Sequence, residues 1–172
     1  MEIRTERLVL VPNGIRFLES TYEYTSDIEN TRFMVYLPNE SIEEAEEFLK
    51  QVESEWHKDN QMIYEFAILY QGQHIGSIGF DVTEDRSQAE FGWYLSKQYW
   101  NFGLTTEAAK AVLDYAVNVI GVRHFIAHCD SENAGSYRVM EKLGMERKDC
   151  YGGRNNRSSD EERMELLYEL YV

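Results

Sequence analysis

The chain has 172 residues, with 31 acidic against 17 basic side chains, a formal net charge of −14 and two cysteines. A chain of this length suits a single domain with a sizeable core, here taken as residues 1–172. An acidic surface of this kind repels a nucleic-acid backbone and favours cationic or amine-bearing partners, and Cys129 and Cys150 lie at no metal-ligand or disulfide-framework spacing.

The first residues carry charges at Glu2, Arg4, Glu6 and Arg7 instead of a signal-peptide apolar core, and no apolar run approaches a membrane span, so a cytoplasmic location is expected. Alternation over Ile3 to Val11 predicts a first strand ended by Pro12, and Ile15, Leu18 and Tyr22 recur at helical spacing. Phe33, Met34, Tyr36 and Leu37 form an aromatic-rich patch. Ser41 with Glu44 forms a capping box before a helix whose stripe is Ala45, Phe48, Leu49, Val52 and Trp56. Tyr64 to Tyr70, the turn Gln71-Gly72 and His74 to Val82 predict a hairpin, followed by a third strand from about Ala89.

The stretch Tyr94 to Glu107, YLSKQYWNFGLTTE, reads as a strand end, a turn and a helix start. Thr105 or Thr106 can cap that helix, Ala109, Val112, Leu113 and Ala116 share one face, and Gly121 can stop it. A helix N-terminus next to a glycine presents free backbone N–H groups and partial positive charge to an anion such as phosphate. No Walker loop and no G-x-G-x-x-G occurs here. Beyond it come a strand over Arg123 to Cys129, a short helix over Ala134 to Leu143 closed by Gly144, and strands over Met145 to Tyr151 and Met164 to Val172. The polar stretch Gly152 to Glu162 between those strands is expected to be a mobile loop.

Four stretches taken together resemble the GNAT superfamily of acetyl-CoA-dependent N-acetyltransferases, nearest the branch of Rim-type ribosomal-protein N-terminal acetyltransferases and spermidine acetyltransferases. They are T-E-R-L-V-L at Thr5 to Leu10, Tyr99 to Ala108 with the Trp100 to Thr105 loop, E-N-x-x-S at Glu132 to Ser136, and E-K-L-G at Glu141 to Gly144. The resemblance implies an α/β fold, a central mixed sheet of about seven strands flanked by about four helices. It implies acetyl-CoA as cosubstrate with no metal, its pyrophosphate held on Phe102, Gly103, Leu104, Thr105 and Thr106, and its pantetheine arm alongside the main chain of Trp93, Tyr94 and Leu95 between two splayed strands. Asn133 would bond the pantetheine amide region, while also suiting a helix cap, and Arg138 would reach the 3′-phosphate. Trp100 and Thr105 depart from the superfamily's usual residues, and Met140 stands where many members carry a tyrosine acid.

Glu90 is the candidate base, with a cross-strand ion pair as the competing role for its carboxylate, and Ser136 is the candidate that orients or protonates the thiol. His74, His124 and His128 are alternative bases by chemistry, although His124 and His128 fall on the strand face opposite Phe125 and Ala127, where a surface or partly buried polar role competes. The expected activity is direct acetyl transfer to a primary amine, a peptide or protein N-terminal α-amine first and a polyamine or small metabolite second; a non-catalytic coenzyme A sensor is the competing class. Expected partners are an amine-bearing small molecule, peptide or basic protein, with no nucleic acid and no membrane; a homodimer is among the expected assemblies.

Overall fold

Strand alternation and helical periodicity resolve into one eight-stranded sheet in the order β1-β2-β3-β4-β5-β6-β8-β7 in the computed structural model, which describes residues 1–172. The strands are β1 (Ile3–Arg4), β2 (Leu8–Pro12), β3 (Ile63–Tyr70), β4 (Gln73–Val82), β5 (Gln88–Leu95), β6 (His124–Asp130), β7 (Glu146–Asn155) and β8 (Glu162–Tyr171). The helices are α1 (Leu18–Thr25), α2 (Ile28–Thr31), α3 (Ile42–Glu55), α4 (Leu104–Tyr115) and α5 (Ala134–Lys142). The sheet is mixed as expected: β5 and β6 pair in parallel, and every other pair is antiparallel.

One face of the sheet packs Leu10, Phe66, Ile78, Phe80, Phe91 and Phe125 against Ala108, Ala109 and Val112 of α4. Phe66, Phe80 and Phe125 are fully buried, and the Phe91 and Phe125 rings lie 5.5 Å apart. Helices α1 and α3 cover the opposite face, where period-2 alternation places Ala67, Ser77, Gly92 and Tyr94. The predicted hairpin turn is present, with Gln71 and Gly72 both at positive φ, the arrangement whose twist matches two antiparallel strands. Helix α4 continues through a wider turn at Ala116–Ile120 and stops at left-handed Gly121. No helix is long and apolar enough to cross a membrane.

Four expectations are corrected. The first strand is broken into β1 and β2, because Thr5 and Arg7 turn their polar groups to Glu107 of α4. Neither Thr105 nor Thr106 caps α4: the cap position falls on Gly103, which has no side chain to offer, and both threonines lie inside the first turn. Ser41 holds the cap position of α3 without a side-chain bond, while Glu44 accepts from the Glu40 N–H, one residue ahead of the box expected from the sequence. Finally, most of the stretch Gly152 to Glu162 is strand or a tied-down tip. β7 runs to Asn155, Asn156 is 3% exposed, and the tip is pinned to the 32–36 segment: Arg154 Nη2 donates to the Phe33 carbonyl at 2.7 Å and the Arg157 N–H to the Met34 carbonyl at 3.0 Å.

Candidate functional site

The parallel β5–β6 ladder runs from Gln88↔His124 to Phe91↔Ala127 and ends there, although both strands continue. Gly92 to Leu95 stay bonded to β4, and His128 to Asp130 to β8, so the strands fork and the far edge of β5 is left without a strand partner. Two cavities meet at this fork. One, of about 460 Å³, runs along Trp93, Tyr94, Leu95 and Trp100 to the start of α4 and to α5; the other, of about 520 Å³, opens between the 33–36 segment and β5, β6 and the β7–β8 tip. Both are lined by Phe33, Met34, Trp93, Tyr94, Asn133 and Ser136.

The first cavity ends on a surface suited to an anion. Asn101 (φ 66) and Gly103 (φ 75) are both left-handed, a loop geometry that turns successive N–H groups to one side, and no side chain caps the helix that follows. The first four N–H groups of a helix have no intrahelical acceptor, so those at Leu104, Thr105 and Thr106 are left for a ligand. Around the same cavity stand Arg32, Arg138 and Lys142, three cations that form no ion pair in a chain of net charge −14. These features fit the diphosphate and 3′-phosphate of coenzyme A, and the open edge of β5 fits an extended amide-bearing arm. Phe102 contributes least: its ring is 65% exposed and its carbonyl is turned to Arg7.

Sequence reasoning overlooked the brace behind this loop. Arg7 Nη1 donates to the Phe102 carbonyl at 3.0 Å while its Nε donates to Glu107 Oε2 at 2.7 Å, and Glu107 also accepts from Thr5 Oγ1 and the Arg7 N–H. Two separate motif stretches, Thr5–Arg7 and Glu107, therefore fix one loop. Arg7→Ala is expected to weaken coenzyme A binding by roughly tenfold, the scale of one lost charge-assisted hydrogen bond. Calorimetric titration checks it, and an unchanged dissociation constant removes the brace from the binding account.

The second cavity holds the titratable groups. Glu90 lines it with its side chain 52% exposed, and its Oε1 lies 2.7 Å from His128 Nδ1. The hydrogen bond to Glu90 holds the His128 imidazole above its ordinary value. Asp81, directly across the β4–β5 ladder from Glu90, is pushed up to about 6 by loss of water around its carboxyl and by the Glu90 charge. Arg154 is the only arginine or lysine of this cavity, and each of its three nitrogens makes a hydrogen bond within the protein: Nε with Asn156, Nη1 with Glu165 and Nη2 with the Phe33 carbonyl.

Asn133 takes the cap role: its Oδ1 accepts from the Ser136 N–H at 3.2 Å at the start of α5, and the residue lines both cavities. Ser136 stands at the junction beside Cys129, and Met140 is buried there. Burial pushes the Cys129 thiol up to about 11, which is the wrong direction for a covalent nucleophile. His74 lies away from the fork, under α1 and bonded to Ser20, with burial lowering it to about 4; the His124 ring stacks on Tyr171 at 4.2 Å. No group of three or more His, Cys, Asp or Glu side chains is placed to hold a metal ion.

Comparison with known proteins accords with this geometry. Residues 7–146 match the model of the acetyltransferase (GNAT) domain. The uncharacterized N-acetyltransferase YnaD of Bacillus subtilis (strain 168) is 33% identical over 148 residues, 86% of this chain and 84% of that protein. The spermidine N(1)-acetyltransferase of Escherichia coli (strain K12) is 28% identical over 89 residues, 51% of this chain and 48% of that protein. Among solved structures, a GNAT-family acetyltransferase from Bacillus anthracis superposes with a TM-score of 0.83 at 28% identity, covering 99% of this chain and 98% of that one.

Proposed function

The chain belongs to the acetyltransferase (GNAT) family, and from that premise we propose that it passes the acetyl group of acetyl-CoA to an N-terminal α-amine of a peptide or protein, in one step. The observation that carries the reading is the meeting of the two cavities at Trp93, Tyr94, Asn133 and Ser136, one built for a phosphate-bearing arm and the other carrying the base. Acetyl-CoA supplies an activated thioester. The start of α4 holds its phosphates, the β5 edge aligns the arm, Asn133 and Ser136 order the junction, and the Glu90–His128 pair receives the ammonium proton.

The acceptor class follows from charge. With the buried Arg154 side chain paired to Glu165 and tied to Asn156 and the Phe33 carbonyl, the second cavity has no unpaired arginine or lysine for a carboxylate next to the reacting nitrogen, which disfavours free amino acids. A peptide α-amine carries no such carboxylate, and its pKa of about 8 against about 10.4 for a lysine side chain leaves less work in reaching the neutral nucleophile. A polyamine is the second reading, favoured by the net charge of −14 and by the partial likeness to the spermidine enzyme.

The test is thiol release from acetyl-CoA against free-N-terminus peptides, N-blocked peptides with free lysine, and spermidine, with the acetylated nitrogen located by mass spectrometry. Selective use of free N-termini is the expected result. Preference for spermidine makes the second reading primary, and turnover with no added amine, with no acetylated product, overturns both.

A further inference from the structure

We infer that the proton acceptor of this site is His128, through Nε2, and that Glu90 acts as its positioning residue by holding the Nδ1–H. The inference rests on the acetyl-transfer reading and names the atom that does its acid–base work.

The pairing comes from the fork. Phe91↔Ala127 is the last register pair of the β5–β6 ladder, so Glu90 and His128 project from the same face of the sheet on either side of it, and their side chains meet at 2.7 Å across 38 residues of sequence. A carboxylate can only accept here, which puts the imidazole proton on Nδ1 and leaves Nε2 with a bare lone pair. Nδ1 makes the one hydrogen bond of this ring within the protein, and the side chain, 25% exposed, lines the acceptor cavity. This is the arrangement in which a buried or half-buried carboxylate fixes a histidine's tautomer and stabilises its charged form without taking the proton itself. Of the two groups imidazole is the stronger base, with unperturbed values of about 6.5 against about 4.3 for a glutamate. Glu90 is also half-exposed, so water competes for its free oxygen.

In the step itself, Nε2 takes one proton from the acceptor ammonium, and the freed nitrogen lone pair attacks the thioester carbonyl carbon. The new C–N bond forms and the C–S bond breaks with its electron pair on sulfur. A second nitrogen proton ends on that sulfur, and the imidazolium returns its proton to solvent.

The groups facing His128 set the pH response. Glu90 of β5 bonds it, Glu165 of β8 adds negative charge, Arg154 of β7 opposes both while paired with Glu165, and Asp81 of β4 stands across from Glu90. The bond to Glu90 raises the imidazole, and the neutral form is the active one, so kcat/KM rises as pH climbs through the His128 value. Removing the carboxylate lowers that value, so the rising limb moves to lower pH while the plateau falls, because a glutamine can bond either tautomer.

The experiment compares wild type, Glu90→Gln, His128→Gln and the double variant, using the best amine of the acceptor panel across pH, together with nitrogen-15 NMR of the His128 ring in the free protein. Expected are a loss of roughly 10²- to 10⁴-fold in kcat/KM for His128→Gln, the scale of a general base. The double variant should be hardly worse than His128→Gln alone, coenzyme A binding should stay within about twofold in calorimetry, the proton should sit on Nδ1, and the Glu90→Gln limb should be shifted acidward. A His128→Gln enzyme within threefold or so of wild type, or a neutral ring protonated on Nε2, overturns the assignment, as does a limb abolished by Glu90→Gln yet unmoved in His128→Gln. Wild type that acetylates no amine of the panel overturns the acetyl-transfer reading, and this catalytic role with it, whereas activity with an intact His128→Gln overturns this assignment alone.

Discussion

Gly103→Val is expected to weaken coenzyme A binding by about a hundredfold while the far-ultraviolet spectrum and cooperative melt of the protein stay intact. The cause is backbone conformation. At φ 75, Gly103 is in the left-handed region, and a Cβ placed there would meet nothing nearer than Arg7 Nη2 at 3.7 Å, so the position has room for a side chain. An L-residue at this φ costs about 1–2 kcal/mol, and a β-branched one more. The cheaper outcome is for the loop to relax, which turns the α4 N–H groups away from the phosphates; about 2.7 kcal/mol corresponds to a hundredfold in affinity. Fold is spared because Gly103 is exposed and its loop lies outside the sheet. Gly103→Asn separates this cause from simple obstruction. Asparagine is larger than alanine but tolerates the left-handed region, so it should bind coenzyme A better than Gly103→Ala; the reverse order, read by calorimetry, would make obstruction the cause and retire the conformational account.

The same loop shows how far the sequence could be read. Gly103 marks the turn, and the Thr-Thr-Glu-Ala run marks a helix, because both signals are local. The positive φ of Asn101 was not visible, since asparagine visits that region without announcing it. Strand β5 was legible through alternation, and β3 and β4 through two strand-like runs flanking the Gln71-Gly72 turn, whereas β7 was legible only as far as Tyr151: it is exposed at nearly every position, so no burial period marks its continuation to Asn155. What holds the β7–β8 tip is a set of side chains aimed at main-chain carbonyls about 120 residues earlier: Arg154 to Phe33 and Arg157 to Tyr36 lie 121 residues apart. No composition rule detects such a partner, and a polar Gly-Gly-Arg-Asn-Asn run reads as a loop until the fold supplies it. The Glu90–His128 contact was hidden for a related reason. Each residue was a candidate by chemistry, but their meeting depends on where a parallel ladder ends.

Asp130→Ala is expected to cost about 3 kcal/mol of stability and, separately, to raise KM for the amine. Asp130 is fully buried at the end of β6, where Oδ2 accepts from Asn156 Nδ2 at 2.6 Å, Oδ1 accepts from the Glu132 N–H at 2.8 Å, and Arg163 Nε lies 3.3 Å from Oδ2. Truncation leaves a partly exposed guanidinium and a buried amide short of acceptors; removing one member of a fully buried ion pair costs about 3–5 kcal/mol. Arg163 also bonds Glu132 and is 19% exposed, which discounts the figure toward the lower end. Asn156 passes the effect on: it accepts from Arg154 Nε, and Arg154 holds the Phe33 carbonyl, so the acceptor wall at 33–36 loses its anchor when Asn156 is released. The chemistry at Glu90 and His128 is untouched by this change. Urea denaturation should therefore show the stability loss, and steady-state kinetics at saturating acetyl-CoA should show KM for the amine rising several-fold with kcat within about twofold. A loss of kcat with KM unchanged would place Asp130 in the ordering of Asn133 and the junction instead of in the wall, and stability equal to wild type would mean that Arg163 and Asn156 find water as readily as they found the carboxylate.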